Sequence, residues 1–324
     1  MLPLLWTVFM PLYGCFLWLL HQRMLSVLLM RVWFSLHLAI AVIVTHIACR
    51  IISFFAYTLN IIPASTAQAL SRFCKHVVFK VYFSANVPHV HTVQMPGSLP
   101  YSVMQRGAIC SCHCSLFDPF FSMSVIPYSV LWNGRTFLKS SLLNLPLFGY
   151  ALRCAAYFPV YFSDESSASF SVDKDKQAAV AADVENWVKK GKSLCFYPEG
   201  MVNRTPEVLK DFRLGSFKTI LAHQMPLYYC VSYGNHEVWP PSLKGLPGYP
   251  ADVYVYIGKY DYNPDEEDAR SLATGLREEM QKHLDDMVLK GKRLECEPRH
   301  VARHADQGGE RGRRMIVEGH AGQL

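Results

Sequence analysis

Residues 109–121 read ICSCHCSLFDPFF and gather three cysteines, one histidine and one aspartate within thirteen positions. Such a set could ligate a metal, supply a nucleophilic thiol, or move a proton. Zinc clips pair cysteines as Cys-x2–4-Cys, usually with a second pair elsewhere. Here Cys110, Cys112 and Cys114 alternate, and the chain contains no CxxC. On a strand the three thiols share one face and His113 takes the other, so a tetrahedral site built from them is strained. A catalytic thiol needs an activating base beside it, and His113 points away. The cysteines read as small buried hydrophobes, and no metal is expected.

His113 and Asp118 suit proton transfer better. The Asp118-Pro119 step predicts a helix start, with the aspartate at the cap and the proline at the first helical position. His113 then sits in a loop between a strand end and that helix. Inside one helix the two side chains would point about 140° apart. In a loop the carboxylate can fold back to the imidazole, fix its tautomer and stabilise the imidazolium. Ser115 is a conceivable nucleophile, but it lacks the Gly-x-Ser-x-Gly elbow.

The elements that must hold this pair alternate between strand-like and helix-like runs. Residues 102–110, 193–197, 227–232 and 253–258 are short and apolar, as strands are. Residues 174–190 place Val180, Val184, Trp187 and Val188 on one helical face, and Gly191 ends that helix. A further helix is expected around 215–224, and another over 264–289 with Leu272, Leu276, Met280 and Leu284 on its buried face. This alternation predicts an α/β domain with its site at the strand ends. Strand 193–197 runs into a Pro198-Glu199-Gly200 turn, where Gly200 lets backbone approach a ligand. Arg213, Gly215 and Ser216 open the next helix, where free amides favour an anion.

The front of the chain differs from the rest. Residues 2–20 carry no charge, a second apolar run spans 32–49, and the first acidic residue is Asp118. Each run reaches the roughly 18 residues that cross a bilayer, which predicts a transmembrane or re-entrant pair of helices in contact with membrane lipids. The first run has no basic leader or small-residue cleavage site of the signal-peptide kind. Residues 71–83 mix Arg72, Lys75, His76 and Lys80 with aromatics and valines. They read equally as an interfacial helix and as the first buried helix of the domain. The net charge of +6 comes from the acid-free front and a Gly/Arg-rich end. That end reads as a disordered basic tail without the interleaved aromatics of a nucleic-acid binder. The ten cysteines form no regular framework and read as mostly reduced. The expected organisation is 1–62 membrane helices, 63–100 an interfacial or linking segment, 101–292 the α/β domain, and 293–324 the tail.

Four blocks in order resemble the membrane glycerolipid acyltransferases, the 1-acylglycerol-3-phosphate acyltransferase (PlsC-like) family. They are CHCSLFD; LKSSLLNLPLFGYALRCAAYFPVYF with Lys139, Pro146 and Gly149; FYPEG trailed by FRLGSF; and MPLYYCVS with Pro226, all within roughly residues 84–260. The resemblance implies an acyltransferase domain with a central mixed sheet flanked by helices behind the N-terminal helical hairpin. It implies acyl transfer from acyl-CoA, a co-substrate rather than a cofactor, to the sn-2 hydroxyl of lysophosphatidic acid. His113 would be the general base, oriented by Asp118, with no covalent acyl-enzyme. Glu199, Gly200, Arg204, Arg213 and Lys139 would surround the acceptor phosphate. The cytosolic face of the endoplasmic reticulum is the expected location, because acyl-CoA is available there. The chain departs from the family pattern at Cys112, where asparagine is usual, and at Met201-Val202, where Thr-Arg is usual. It departs again at Phe162, where arginine is expected. These departures keep other acceptors open, such as lysophosphatidylinositol or lysocardiolipin. A CoA-independent transacylase and a non-catalytic membrane scaffold also remain open, and the oligomeric state is not legible.

Overall fold

The computed structural model describes residues 2–163 and 172–295, so the tail from residue 296 onward lies outside the described residues. The chain opens with α1 (Leu2–His21) and α2 (Val27–Ser53), the latter prolonged by a π-helical turn over Phe54–Thr58. The two helices double back on each other, and Phe16 packs edge-on against Trp33 with ring centroids 4.7 Å apart. Val27–Thr58 is long and apolar enough to cross a membrane, whereas Trp6–His21 is apolar but shorter. Among the described residues, one candidate span therefore stands where the sequence suggested two.

One stripe of α2 faces the domain. Met30, Phe34, His37, Ala41, Thr45 and Cys49 are buried, at the three- and four-residue spacing of a single helical face. Polar contacts run along the same helix. Arg31 donates to the Leu246 carbonyl and lies over the Tyr249 ring. His37 meets the Tyr82 hydroxyl at 2.7 Å, and Arg50 lies over the Tyr150 ring. The other face carries exposed Leu28, Val32, Leu36, Ile43, Ile47 and Ile51.

Helix α3 (Ala64–Val77) follows and continues as a π-helical run over Val78–Phe83 into the short α4 (Ser84–Asn86). This is the first buried helix of the domain, one of the two readings its sequence allowed. Its cations are taken inward: Arg72 donates to the Ala155 carbonyl at 3.0 Å, and Lys75 lies 4.3 Å over the Tyr157 ring. Burial pushes the Lys75 ammonium down to about 7, with neighbouring Arg72 adding to the effect.

The seven-stranded mixed sheet comprises β1 (Val90–Gln94), β2 (Ala108–Ser111), β3 (Gly134–Lys139), β4 (Phe158–Val160), β5 (Ser193–Phe196), β6 (Leu227–Tyr233) and β7 (Ala251–Tyr260). Its order is β1-β7-β6-β2-β5-β3-β4, parallel except at the β6–β7 pair. The remaining helices are α5 (Asp118–Val125), α6 (Tyr128–Asn133), α7 (Phe148–Cys154), α8 (Lys174–Lys189), α9 (Gly215–Ala222), α10 (Asn235–Val238) and α11 (Ala269–Glu295).

Strand alternation sorts side chains between two cores. Cys110, Tyr229, Val231 and Tyr254 join the layer under α8, α9 and α11. Ile109, Tyr228, Cys230, Val253 and Val255 join the layer under α2, the Val78–Phe83 run and α5. The strands foreseen over 193–197, 227–232 and 253–258 are present as β5, β6 and β7. Strands β1, β3 and β4 had no signal in the sequence reading. The helix expected from residue 264 begins at Ala269, after an Asp268 side chain that accepts from the Arg270 and Ser271 amides.

Candidate active site

Strands β6, β2 and β5 lie side by side and run parallel. Their C-terminal ends therefore open on one edge of the sheet, the edge at which α/β sheets place ligands. His113 follows β2, Glu199 follows β5, and Asn235 follows β6.

Nδ1 of His113 lies 2.8 Å from Oδ2 of Asp118. The same oxygen accepts the backbone N–H groups of Cys114 at 2.7 Å and Ser115 at 2.8 Å. A carboxylate can only accept, so Nδ1 carries the proton, and in the neutral ring Nε2 is the nitrogen that presents a lone pair to a substrate. Asp118 was expected to cap its own helix. It is instead the first residue of α5, and its side chain turns back to the loop before it. The helix starts one residue before Pro119, and the Asp118 side chain holds the histidine.

The turn after β5 clamps the His113 backbone from both sides. The His113 N–H donates to Glu199 Oε1 at 3.0 Å, and the His113 carbonyl accepts from the Asn203 N–H at 2.6 Å. Glu199 Oε2 accepts from Asn203 Nδ2 at 2.8 Å and from the Lys210 N–H at 3.1 Å. Burial pushes the Glu199 carboxyl up, opposed by these hydrogen bonds. Both of its oxygens are thus engaged by the protein. Gly200 takes a left-handed φ of 72°, which closes the turn.

A cleft of about 500 Å³ opens beside this turn, lined among others by Glu199, Met201, Thr205, Lys210, Asp211 and Arg213. Arg213 and Glu199 therefore come together, joined by Lys210. Arg204 is exposed and is not part of the lining. Lys139, at the end of β3, lies 5.8 Å from the centre of the Phe162 ring.

The cysteines of the motif are buried, Cys110 in β2 and Cys112 and Cys114 in the loop after it. Cys112 Sγ accepts from the Ser232 N–H at 3.2 Å and donates to the Ser232 carbonyl at 3.3 Å, which pins β2 to β6. Among the described residues, no group of three or more His, Cys, Asp and Glu could hold a metal.

Two site residues carried no local signal. The Tyr197 ring stacks on the His113 imidazole, and Asn235 Nδ2 donates to Asp118 Oδ1 at 2.8 Å.

Residues 78–233 match the acyltransferase family. A solved structure, the 1-acyl-sn-glycerophosphate (LPA) acyltransferase PlsC from Thermotoga maritima, shares the fold at a TM-score of 0.59 and 14% identity. The match covers 81% of this chain and 95% of that one. No curated protein matches the sequence.

Proposed function

We propose that this chain, a member of the acyltransferase family with the PlsC-like fold, transfers an acyl group from acyl-CoA to the free hydroxyl of lysophosphatidic acid. The observation that carries the reading is the 2.8 Å contact between His113 Nδ1 and Asp118 Oδ2, held at the sheet edge beside a cleft that contains Arg213. In this reading Nε2 of His113 takes the proton of the acceptor hydroxyl as its oxygen attacks the thioester carbonyl. The carbon–sulfur bond then breaks, and the imidazolium returns the proton to the departing thiolate. Asp118 holds the tautomer and balances the charge on the ring. Holding both substrates against one base supplies much of the rate.

Arg213 and Lys210 are the cations offered to the acceptor phosphate. Glu199 and Gly200 shape the turn around it, with Glu199 acting through the His113 backbone. Lys139 and Arg204, outside the cleft lining, are the further cations of this reading. The absence of Arg204 from the lining, with Phe162 beside Lys139, favours a second reading in which the acceptor carries a larger headgroup.

The apolar outer faces of α1 and α2 support a seat in lipid. Trp6, Leu12, Leu28 and Ile51 are each more than half exposed, and a continuous apolar surface of this kind is covered in a working protein. Because α2 is docked on the domain along its length, the pair sinks one face into a leaflet and leaves the domain at the headgroup level. The cytosolic side of the endoplasmic reticulum supplies acyl-CoA to that surface.

The test uses membranes containing the protein, labelled oleoyl-CoA and a panel of lysophospholipids, beside His113→Ala. Histidine-dependent transfer to lysophosphatidic acid supports the reading. Transfer to another lysolipid keeps the chemistry and changes the acceptor. No transfer from folded protein sinks it.

A further inference from the structure

We propose that Asn235 is a positioning residue of the acyl-transfer site, which locks the Asp118 carboxylate in the orientation that serves His113. The inference rests on the reading of His113 as the base.

Asp118 Oδ2 gathers three donors from one side: His113 Nδ1 and the Cys114 and Ser115 amides. Rotation of the carboxylate about its own axis is then fixed by what holds Oδ1, and there Asn235 Nδ2 donates at 2.8 Å. Its second amide hydrogen goes to Ser232 Oγ, also at 2.8 Å. Turning the amide over would set its oxygen against the carboxylate, so the donor end is the one that faces Asp118. Asn235 is fully buried, and its Oδ1 has no partner. A buried amide with an unmatched oxygen is retained where an apolar side chain of the same size would pack without that cost. The donor to Asp118 is what the asparagine supplies and a leucine would not.

The backbone around it is a brace. Gly234 has φ 101°, and a side chain there would run into the Asp252 carbonyl, so the chain turns sharply at the end of β6. Ser232 is tied to Cys112 before the turn. The Trp239 carbonyl accepts from Ser115 Oγ at 2.7 Å after it. Residues 232–239 thus touch the 112–118 loop at its start, at Ser115 and at Asp118, and Asn235 is the contact that reaches the carboxylate.

The experiment measures kcat and both KM values for Asn235→Leu, Asp118→Asn and the double variant in membranes, with thermal unfolding of each. Asn235→Leu is expected to lower kcat about 10- to 100-fold, the worth of a hydrogen bond to a charged group, with both KM values unchanged. In the Asp118→Asn background the same change is expected to cost little, since its route to the histidine is already cut. An unchanged kcat, or an equal loss in both backgrounds, overturns the proposal. Should Asn235→Leu fail to fold, Ser232→Ala frees the amide from its second anchor. It is expected to lower kcat by about threefold, again only when Asp118 is present, and an unchanged kcat overturns the proposal. His113→Ala in the same series separates the two ideas. If it keeps activity, the base assignment falls and Asn235 with it. If it abolishes activity while the Asn235 and Ser232 variants behave as wild type, only the positioning role falls.

Discussion

The Tyr197 ring lies against the His113 imidazole with centroids 4.4 Å apart and planes 24° from parallel. Its hydroxyl meets Ser122 Oγ at 3.1 Å, on the same helix that begins with Asp118. Burial, reinforced by the Asp118 charge, pushes the phenol well above its ordinary value, so the ring stays neutral. A neutral aromatic face attracts the imidazolium that forms when His113 takes a proton. Tyr197→Phe keeps that face and is expected to retain kcat within about threefold, the worth of a neutral hydrogen bond. Tyr197→Leu loses the stack and is expected to cost roughly tenfold in kcat, at constant KM. Equal kinetics for the two variants would remove the role assigned to the ring.

The acceptor site separates two arginines that the sequence had grouped. Arg213 lines the cleft beside Glu199 and Lys210, and Arg204 does not. Arg213→Ala is expected to raise the acceptor KM by about tenfold or more, the worth of one charge-assisted hydrogen bond. Arg204→Ala is expected to change it by about twofold or less, as exposed charges do. Steady-state titration of the acceptor at saturating donor measures both. The opposite ranking would move the phosphate to the rim.

The three cysteines around His113 are expected to be inert. Burial, with Asp118 second, pushes the Cys112 thiol up to about 12, and burial raises Cys110 and Cys114 well above the ordinary thiol value. Iodoacetamide at pH 8 is therefore expected to leave all three unmodified in the folded protein, because it attacks thiolates. Peptide mass mapping after a short exposure reads the outcome. Rapid labelling of Cys112 with loss of activity would make it part of the chemistry.

What the sequence disclosed about the site was local. His113 and Asp118 are five positions apart in one loop, and Pro119 announces the helix start that brings them together. Glu199 and Gly200 follow a recognisable strand at once. Asn235 was out of reach because it is separated from Asp118 by 117 positions. They meet because β6 is hydrogen-bonded to β2, a neighbour relation that no local pattern encodes. Tyr197 was hidden for the same reason, since β5 flanks β2 on its other side.

Charge left the reading open elsewhere. Arg72 and Lys75 allowed an interfacial helix, yet the Ala155 and Trp132 carbonyls and the Tyr157 ring hold them inside. Strand β4 is three residues long and includes Pro159, too short and too poor in donors to read as a strand.

The last prediction concerns the joint between the helical hairpin and the domain. Arg23, in the turn after α1, pairs with Asp252 on β7, and His91 Nδ1 lies 3.2 Å from the same carboxylate oxygen. Burial alone would raise Asp252, but the His91 hydrogen bond and the Arg23 charge outweigh it and hold the carboxyl at about 2. An unfolded aspartate titrates at about 3.9, so the folded value is depressed and the pair stabilises above that pH. The difference amounts to about 2 kcal/mol at neutral pH, a figure suited to a pair whose side chains are only 9% and 22% exposed. It is lost as pH falls from about 4 to about 2, where the folded carboxylate takes its proton. Asp252→Asn is expected to lower stability by that amount at pH 7 and to converge with wild type at the acid end. Chemical denaturation in detergent micelles at stepped pH measures the gap between the two proteins. A gap that stays constant down to pH 2 would mean that Asp252 contributes by packing, and that the hairpin is held by α2 alone.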